Sequence, residues 1–275
     1  MKKLLTLFLL LAGLNMMAQE VNIISYNIRY NNPGDGENAW PKRKALVGQL
    51  LRFHEADIFG LQEAMIGQIE DICKALPEFK WVGVGRIDGK QAGEFSPVFY
   101  HSGKFTLLDN GDFWLAEDCT KPALAWDAAC ERICSWAILS EKKSGKKILV
   151  MNTHLDHVGA IAREKSAELL LQKMEEMNTE NLPVILTGDF NTTPDSKPIE
   201  ICKSQLSDSK EISEQAPYGP EGTFNSFNFN HPLDKRIDYI FVNDKVKVKK
   251  YAVISDSQNL RYPSDHLPVF VTIQL

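Results

Sequence analysis

The sequence has no excess of positive charge and only modest numbers of glycines and prolines. Its 31 lysines and arginines are outnumbered by 36 aspartates and glutamates, which gives a formal net charge of -5 at pH 7. An acidic chain does not hold nucleic acid by bulk charge, although a local basic groove stays open as an alternative. Glycine (17) and proline (13) are too scarce among 275 residues for a collagen-like or low-complexity chain.

Three catalytic sequence signatures are also missing. The chain has no Gly-x-Ser-x-Gly elbow, no phosphate-binding glycine loop of the Walker type and no His-Glu-x-x-His zinc helix. These absences argue against a serine hydrolase, a P-loop nucleotide hydrolase and a zinc protease built on those motifs. The composition, 44% apolar and 24% charged, is that of an ordinary globular protein. The chain is long enough for one large α/β domain.

The apolar run Leu4–Leu14 is too short to span a bilayer as a helix. It follows Met1-Lys2-Lys3 and precedes Ala18, and this order of basic, apolar and small residues is typical of a secretory signal peptide. We therefore expect residues 1–18 to be a signal peptide and residues 19–275 to form one domain, periplasmic or secreted. A short buried helix is the alternative. We expect no stable membrane insertion and a monomer.

The five cysteines are an odd number, so at least one is free or pairs between chains. Cys119, Cys130 and Cys134 lie close in the sequence, and an exported chain allows a disulfide among them. A zinc site would need a fourth ligand and a tighter repeat, and neither is visible. The sequence therefore favours buried or bridged thiols.

Short apolar runs alternate with a few amphipathic stretches along the chain. Three amphipathic stretches predict helices at Lys42–Phe53, Ile66–Leu76 and Gly159–Met177. Runs rich in Val, Ile, Phe and Tyr predict ten strands: Val21–Tyr26, Asp57–Leu61, Lys80–Val84, Ser96–Tyr100, Ile133–Leu139, Lys147–Met151, Pro183–Leu186, Ile237–Val242, Tyr251–Ile254 and Pro268–Ile273. The pattern predicts an α/β fold with helices covering sheet faces. In Lys245–Lys250 lysine alternates with valine, which favours a charged edge strand over a nucleic-acid patch.

Polar residues cluster where the predicted strands stop. Asn27, Glu63, His154 and Asp189 each follow an apolar run, and the ends of parallel strands share one edge of a sheet, where ligands bind. The group at Asp265-His266 precedes its strand, so it reaches the same edge only if that strand runs antiparallel to the others. The sequence thus predicts one polar site.

Each residue of this set has a purely structural explanation as well as a functional one. Asp189 and Asn191 can hold a hard cation or orient a water, but an Asx turn at a strand end is common. Asp238 lies inside an apolar run, and a buried carboxylate needs a partner such as an imidazole. Glu94 could likewise pair with the imidazole of His154 and orient it. Hard oxygen ligands favour Mg²⁺ or Mn²⁺ over zinc, and such a metal with histidine suits water attack on a phosphoester.

Six motifs, in order along the chain, resemble those of the endonuclease/exonuclease/phosphatase superfamily, the deoxyribonuclease I-like group. The resemblance covers residues 21–275 and implies a four-layer sandwich, two packed mixed β-sheets flanked by helices. The motifs are Asn27, Leu61-Gln62-Glu63, Asn152-Thr153-His154, Gly188-Asp189-Phe190-Asn191, Arg236-Ile237-Asp238-Tyr239 and Ser264-Asp265-His266.

The resemblance implies a Mg²⁺ site, with Mn²⁺ as an alternative. Glu63 would be the main metal ligand with Asn27 beside it, and Asp265 would lie near the metal. Asp189 would position and deprotonate the attacking water, helped by Asn191.

The resemblance also implies two histidines at the phosphate. His266, oriented by Asp238, would contact the scissile phosphate and stabilise the charge that builds there. His154 would contact the phosphate from the other side, with Glu94 as its partner.

Outside the motifs the sequence resembles an exported bacterial subgroup, marked by Asn38–Arg43, Phe113–Leu115 and His154–His157. Seven residues of or near these segments are candidates for lining the substrate site. For the tryptophans, core packing is the common alternative. These candidates are Trp40, Arg43, Trp114, Trp126, Arg132, Asp156 and His157.

These observations together predict an exported Mg²⁺-dependent phosphoester hydrolase of the phosphodiesterase or nuclease type, with a phosphodiester as the favoured bond, that uses direct water attack. The substrate stays open between a lipid head group, a sugar phosphate and nucleic acid. A secreted DNA or RNA nuclease of the same fold is one alternative. An inactive module that binds a phosphate ligand is another, and the complete set of motif residues argues against it.

Overall fold

The computed structural model describes residues 20–275, and the predicted signal peptide 1–18 lies outside them. These residues form a short 3-10 helix, Pro33–Asn38, and five α-helices: α1 Trp40–Phe53, α2 Ile66–Ala75, α3 Ala160–Met177, α4 Lys197–Lys203 and α5 Ser209–Ile212. They also form twelve strands: β1 Glu20–Asn27, β2 Ile58–Gln62, β3 Phe79–Val82, β4 Val98–His101, β5 Phe105–Trp114, β6 Ile133–Glu141, β7 Lys147–His154, β8 Val184–Asp189, β9 Ser207–Asp208, β10 Asp238–Val242, β11 Lys247–Val253 and β12 Val269–Gln274.

The twelve strands of residues 20–275 build two six-stranded sheets. The first has the order β11-β12-β1-β2-β4-β3 and the second the order β5-β6-β7-β8-β10-β9. Each sheet is mixed, because β1 pairs with β2 in parallel and β7 pairs with β8 in parallel, while the other pairs are antiparallel. Two packed mixed sheets flanked by helices confirm the predicted fold class.

Each central strand is buried on both faces, which explains why apolar residues occupy adjacent positions in it. In β1, Ile23 belongs to the core between the two sheets, whereas its neighbour Ile24 packs under α1 and α2. In β8, Ile185 lies in the core between the sheets and Leu186 packs under α3. Successive strand side chains point to opposite faces, so one run of sequence supplies two of the hydrophobic layers.

Close to the site, the two sheets are joined by polar contacts instead of apolar ones. The Asn152 side chain on β7 donates to the carbonyl of Leu61 on β2 and accepts a 2.6 Å hydrogen bond from Gln62. Gly60 leaves the space this requires, since a Cβ there would lie 2.4 Å from the Asn152 and Thr187 side-chain oxygens. Gln62 and Asn152 thus fix the distance between the two strand ends that carry site residues.

The structure adds elements to those predicted and shifts some bounds. Strand β5 has a mostly exposed face with Asp109, Asn110 and Gly111, residues of low strand propensity, and this explains why no apolar run marks it. The short elements α4, α5 and β9 were also not predicted. The lysine-rich segment does form an edge strand, β11, which confirms that prediction.

Two further expectations concern cysteines and membranes. All five cysteines lie within residues 20–275, and all are free thiols, so the predicted bridge among Cys119, Cys130 and Cys134 is not formed. Cys134 is instead fully buried on β6 in the core under α3, and the thiol of Cys130 approaches a carboxylate. Among residues 20–275, no helix combines the length and hydropathy that crossing a membrane requires.

Candidate functional site

The ends of six strands meet at one edge of the sandwich, around a polar cleft of about 710 Å³. Glu63 directly follows β2, while His154 and Asp189 end the parallel neighbours β7 and β8 and face each other in register. His266 precedes β12, which runs antiparallel to β1 and so reaches the same edge, as the sequence required. The topology therefore brings the motif residues together.

A buried pair, His266 and Asp238, forms one wall of the cleft. The Nδ1 of His266 lies 2.9 Å from Oδ2 of Asp238, and its Nε2 lies 3.7 Å from Oδ2 of Asp189. Burial opposes the charge on His266, but the carboxylates of Asp238 and Asp189 outweigh it and raise the pKa of His266 well above its usual value. His266 is thus an imidazolium at neutral pH, with Nε2 directed at Asp189.

Replacing Asp238 with asparagine is expected to lower the pKa of His266, because an amide supplies no charge. A raised histidine pKa stabilises the fold fully below the unfolded pKa, and this stabilisation is lost as the pH rises through the folded pKa. The stability difference between wild type and D238N should therefore be greatest in acid. NMR titration of the His266 ring would measure the shift, and an unchanged titration would contradict the assigned pairing.

Asp189 lies at the centre of the cleft and is held on both oxygens. Its Oδ1 accepts from the backbone N–H of Asn191 at 2.8 Å, and its Oδ2 accepts from the Asn27 amide at 2.9 Å. Burial and the nearby Asp238 carboxylate raise the pKa of Asp189 to about 7, despite the opposing effect of His266. A fixed carboxylate with a pKa near neutrality is suited to accept a proton from water.

His154, on the other wall, carries no charge at neutral pH. Burial, then the charges of Arg132 and Arg86, lower the pKa of His154 well below its usual value. Its Nε2 lies 2.9 Å from the Asn191 amide nitrogen, and its Nδ1 lies 3.9 Å from Oε2 of Glu94. The two histidines of the cleft therefore differ in charge because two arginines act on His154, whereas the carboxylates of Asp238 and Asp189 outweigh burial at His266.

One end of the cleft is acidic. Glu63 accepts from the Asn27 amide at 3.0 Å and from the Tyr30 backbone N–H at 3.0 Å. Burial, and then the Glu63 charge, raise the pKa of Asp265 against the pull of His266. Burial is the main cause of this shift, and the charges of His266, Arg29 and Arg43 do not outweigh it.

A single arginine lies among the carboxylates of this acidic end. Arg29 is paired with Asp35 at 3.1 Å. Its distances to the carboxylates of Glu63 and Asp265, 3.9 and 4.0 Å, are near the upper limit for an ion pair. Three carboxylates against one guanidinium leave two negative charges, the number that a divalent cation neutralises. Carboxylate oxygens are also the donors that Mg²⁺ and Mn²⁺ prefer, so these residues fit such an ion.

Two further arginines line the cleft, and each is fixed by a carboxylate. Arg86 pairs with Glu94 through two contacts, of 2.8 and 3.1 Å. Arg132 pairs with the fully buried Asp156 at 3.2 Å. Burial raises the pKa of Glu94 despite Arg86.

The structure places most of the predicted site residues on the cleft surface. Asn27, Asp238 and Asp156 lie directly behind it and act through Glu63, His266 and Arg132, respectively. The predicted residues that line the cleft are Glu63, Glu94, Arg132, His154, His157, Asp189, Asn191, Asp265 and His266.

Trp40 and Arg43 do not line the cleft, contrary to the prediction. Trp40 is buried in the core under the first sheet, with its indole N–H bonded to Asp71 at 3.0 Å. Arg43 is 3% exposed, and its guanidinium donates to backbone carbonyls, among them those of Arg29 and Pro263. Their role is to hold the loops that carry site residues.

The predicted tryptophans Trp114 and Trp126 also pack away from the cleft, in a small apolar cluster that includes Ala125 and Ile133. For these two residues the alternative of core packing is therefore the one that the structure supports.

Replacing Arg43 with methionine is expected to lower the free energy of unfolding by about 3 kcal/mol or more, because several buried carbonyls lose their donor at once. Lys42→Met is the matched control on the same helix, since Lys42 is exposed and its pairing with Glu37 is worth little. Urea unfolding would measure both. Equal losses in the two variants would contradict this role of Arg43.

Several cleft residues were not predicted. Arg29 and Tyr30 come shortly after Asn27 in the sequence. The charge of Arg29, two positions after the end of the strand, could have indicated that this segment lines the site. Nothing in the sequence places the others beside the site, because loops far apart in the chain supply them. These further lining residues are Asp35, Arg86, Cys130, Phe224, Ser226 and Phe227.

The fold and the site together define a protein of the deoxyribonuclease I-like class, in which two packed sheets present a histidine and carboxylate site. The profile of the Endonuclease/Exonuclease/phosphatase family matches residues 24–266. The chain belongs to this family.

Two solved structures from Bacteroides thetaiotaomicron are similar over nearly the whole chain. An endonuclease/exonuclease/phosphatase family protein is 40% identical, with a TM-score of 0.90 over 93% of this chain and 95% of that one. A mannosyl-6-phosphatase is also 40% identical, with a TM-score of 0.90 over 93% of this chain and 100% of that one.

Among curated proteins the similarity is more distant. The 3'-5'-exoribonuclease subunit Ccr4 of the CCR4-Not complex from Mycosarcoma maydis is 21% identical over 90% of this chain and 49% of its own length. The chain spans about half the length of the first curated relatives it matches. The relatives include a phosphatase and an exoribonuclease, both of which act on phosphoesters.

Proposed function

We propose that the protein is a Mg²⁺-dependent hydrolase of phosphomonoesters, with sugar phosphates as its substrate class, and that it acts by direct attack of water. The observation that carries this proposal is the convergence of a buried imidazolium, His266, and a carboxylate of raised pKa, Asp189, on one cleft. This pairing supplies a base for water and a positive charge for phosphate.

Glu63 and Asp265 would hold the metal ion at the acidic end, where two negative charges are left over. A bound Mg²⁺ would neutralise negative charge on the phosphoryl oxygens. Mn²⁺ has the same ligand preference and is expected to substitute for it.

The chain's own residues divide the remaining work. Asp189 accepts the proton of the attacking water, and the Asn27 and Asn191 contacts keep its carboxylate fixed. His266 donates from Nε2 to a phosphoryl oxygen, with Asp238 holding Nδ1. Because His154 stays neutral, it does not compete with His266 for the charge of Asp189.

The substrate class is supported by the similarity of the chain to the mannosyl-6-phosphatase, at 40% identity over its full length. A second candidate is a nuclease, supported by the similarity to an exoribonuclease and by the aromatic rings of Tyr30, Phe224 and Phe227 in the cleft, on which a base could stack. The acidic net charge argues against tight binding of a duplex.

A substrate panel would test the proposal. Purified protein would be assayed for phosphate release from mannose 6-phosphate and glucose 6-phosphate and, by gel, for cleavage of single-stranded RNA and DNA, with Mg²⁺ or with chelator. We expect chelator-sensitive phosphate release and intact oligonucleotides. Cleaved oligonucleotides without sugar phosphate hydrolysis would favour the nuclease, and no turnover of any substrate would contradict both.

We also propose export to the periplasm or the medium, supported by the basic and apolar order of residues 1–18. Cell fractionation with detection of the chain would test it, and N-terminal sequencing should find residue 19 first. Retention in the cytoplasm at full length would overturn this part of the proposal. Gel filtration would check the expected monomer.

A further inference from the structure

Arg132 is a buried arginine on the cleft surface that is fixed on two sides and leaves one nitrogen without a partner. Its side chain is only 4% exposed. Its Nε donates to Oδ2 of Asp156 at 3.2 Å, and its Nη2 lies 2.9 Å from Nδ1 of His157. Within residues 20–275, its buried Nη1 has no hydrogen-bond partner. An unpaired buried donor on a charged group is costly, so a donor kept in a cleft indicates a ligand there.

The two partners hold Arg132 in one orientation. Asp156 accepts from the backbone N–H groups of Val158 and Gly159 at 2.9 and 2.8 Å. Burial opposes the charge of Asp156, but these N–H groups, a third from Ala129, and Arg132 outweigh it and keep the pKa of Asp156 well below its usual value. Asp156 therefore stays charged and cannot release Arg132.

The contact with His157 also has a fixed direction. A guanidinium only donates, so Nδ1 of His157 must accept and the ring must be neutral while the contact lasts. His157 is exposed and lines the cleft, so it supports Arg132 from the solvent side. Arg132 thus enters substrate binding already oriented, and little side-chain entropy is lost when a ligand meets Nη1.

Within residues 20–275, Arg132 differs from the other arginines of the cleft in that its unpartnered buried nitrogen is a terminal Nη, whereas that of Arg86 is Nε. Both Nη atoms of Arg86 are engaged by the carboxylate of Glu94, and Arg29 is paired with Asp35 at the acidic end. The charge of Arg132 lowers the pKa of His154, whereas Arg29 and Arg43 are the arginines whose charge lowers the pKa of Asp265. Arg132 is therefore associated with His154 on the cleft surface and not with the proposed metal residues.

We propose that Arg132, positioned by Asp156 and His157, selects phosphomonoesters over phosphodiesters by donating from Nη1 to the third terminal phosphate oxygen. This inference rests on the proposed function, since it names the group that distinguishes the substrate class at the same site. A monoester carries three terminal oxygens, whereas a diester carries two and has, in place of the third, an ester oxygen with a carbon substituent that blocks the approach of Nη1. That substituent leaves Nη1 buried without a partner, which penalises the diester.

Two substrates with the same leaving group would test the selection. p-Nitrophenyl phosphate is a monoester, and bis(p-nitrophenyl) phosphate is a diester that releases the same chromophore. For Arg132→Gln we expect kcat/KM to fall by at least about 10-fold on the monoester and to change by less than about 2-fold on the diester. Equal losses on both substrates, or no loss on the monoester, would overturn the proposal.

Two further variants separate selection from damage to the fold. Arg163→Gln is the matched control, because Arg163 donates to the backbone carbonyl of Asp156 but does not line the cleft. It should keep the selectivity ratio of wild type. His157→Ala removes only the exposed support, so it should fold even if Arg132→Gln does not, and should lower the monoester-to-diester ratio by about 3-fold or more. An unchanged ratio in His157→Ala would contradict the positioning role.

Binding of inorganic phosphate separates this inference from the proposed function. Phosphate offers the same terminal oxygens, and calorimetry in Mg²⁺ needs no turnover. We expect Arg132→Gln to weaken phosphate binding by at least about 10-fold, even if neither chromogenic ester is cleaved. Failure of hydrolysis alone would count against the proposed function. Equal phosphate affinity in wild type and Arg132→Gln, or no binding to wild type, would count against Arg132 as the selecting residue.

Discussion

Asparagine in place of Asp189 is expected to lower kcat by at least about 100-fold, because an amide cannot accept the proton of the attacking water. The substitution keeps the size and shape of the side chain. The carboxylate of Asp189 accepts one hydrogen bond from Asn27 and one from Asn191. An asparagine amide has only one oxygen to accept with, so one of these two hydrogen bonds is lost. Loss of a buried carboxylate with a raised pKa offsets part of that cost. The fold should therefore survive a large loss of rate.

Asp195→Asn is the matched control for this substitution. Asp195 follows the same strand but is exposed and bonds only to the Thr193 hydroxyl among the side chains around it. Initial rates under saturating substrate would give kcat, and circular dichroism with thermal unfolding would confirm the fold of both variants. If the Asp189 variant kept more than about a tenth of the wild-type kcat, Asp189 would not be the general base.

The part of this site that could be predicted consists of residues at the ends of strands. Apolar runs such as those that became β7 and β8 are bounded by polar residues, and parallel pairing brings those residues to one edge. The placement of His266 depended on the direction of β12, which the sequence left conditional and the structure gives as antiparallel. The family resemblance supplied the two-sheet architecture, and the pattern of strands alone did not.

The part that could not be predicted depends on tertiary contacts between distant loops. The sequence does not distinguish a tryptophan or arginine that packs in a core from one that lines a cleft. Trp40 and Arg43 were therefore predicted at the substrate site, although both are buried. Arg86 reaches the cleft only because Glu94 holds it there. Strand β5 was missed because an exposed edge strand does not need the apolar residues that mark a buried one.

Replacing His266 with glutamine is the second change with a large expected effect, a loss in kcat/KM of at least about 100-fold. Glutamine retains a donor but no charge, and the phosphoryl oxygens gain negative charge in the transition state. The loss should not be recovered by raising Mg²⁺, because His266 lies 3.7 Å from Asp189 on the wall of the cleft and is not among the proposed metal residues.

The half-buried His231 gives the matched control, since His231→Gln alters the same chemical group in a loop that does not line the cleft. A comparison with Asp238→Asn then separates charge from position. If His266 acts as an imidazolium, Asp238→Asn should lose activity at a lower pH than wild type does as the pH rises, because the ring of the variant loses its proton earlier. His266→Gln, which has no ring to titrate, should show no loss of this kind. If the two variants had the same pH profile, the function of Asp238 would be structural, and the charge on His266 would not explain the rate.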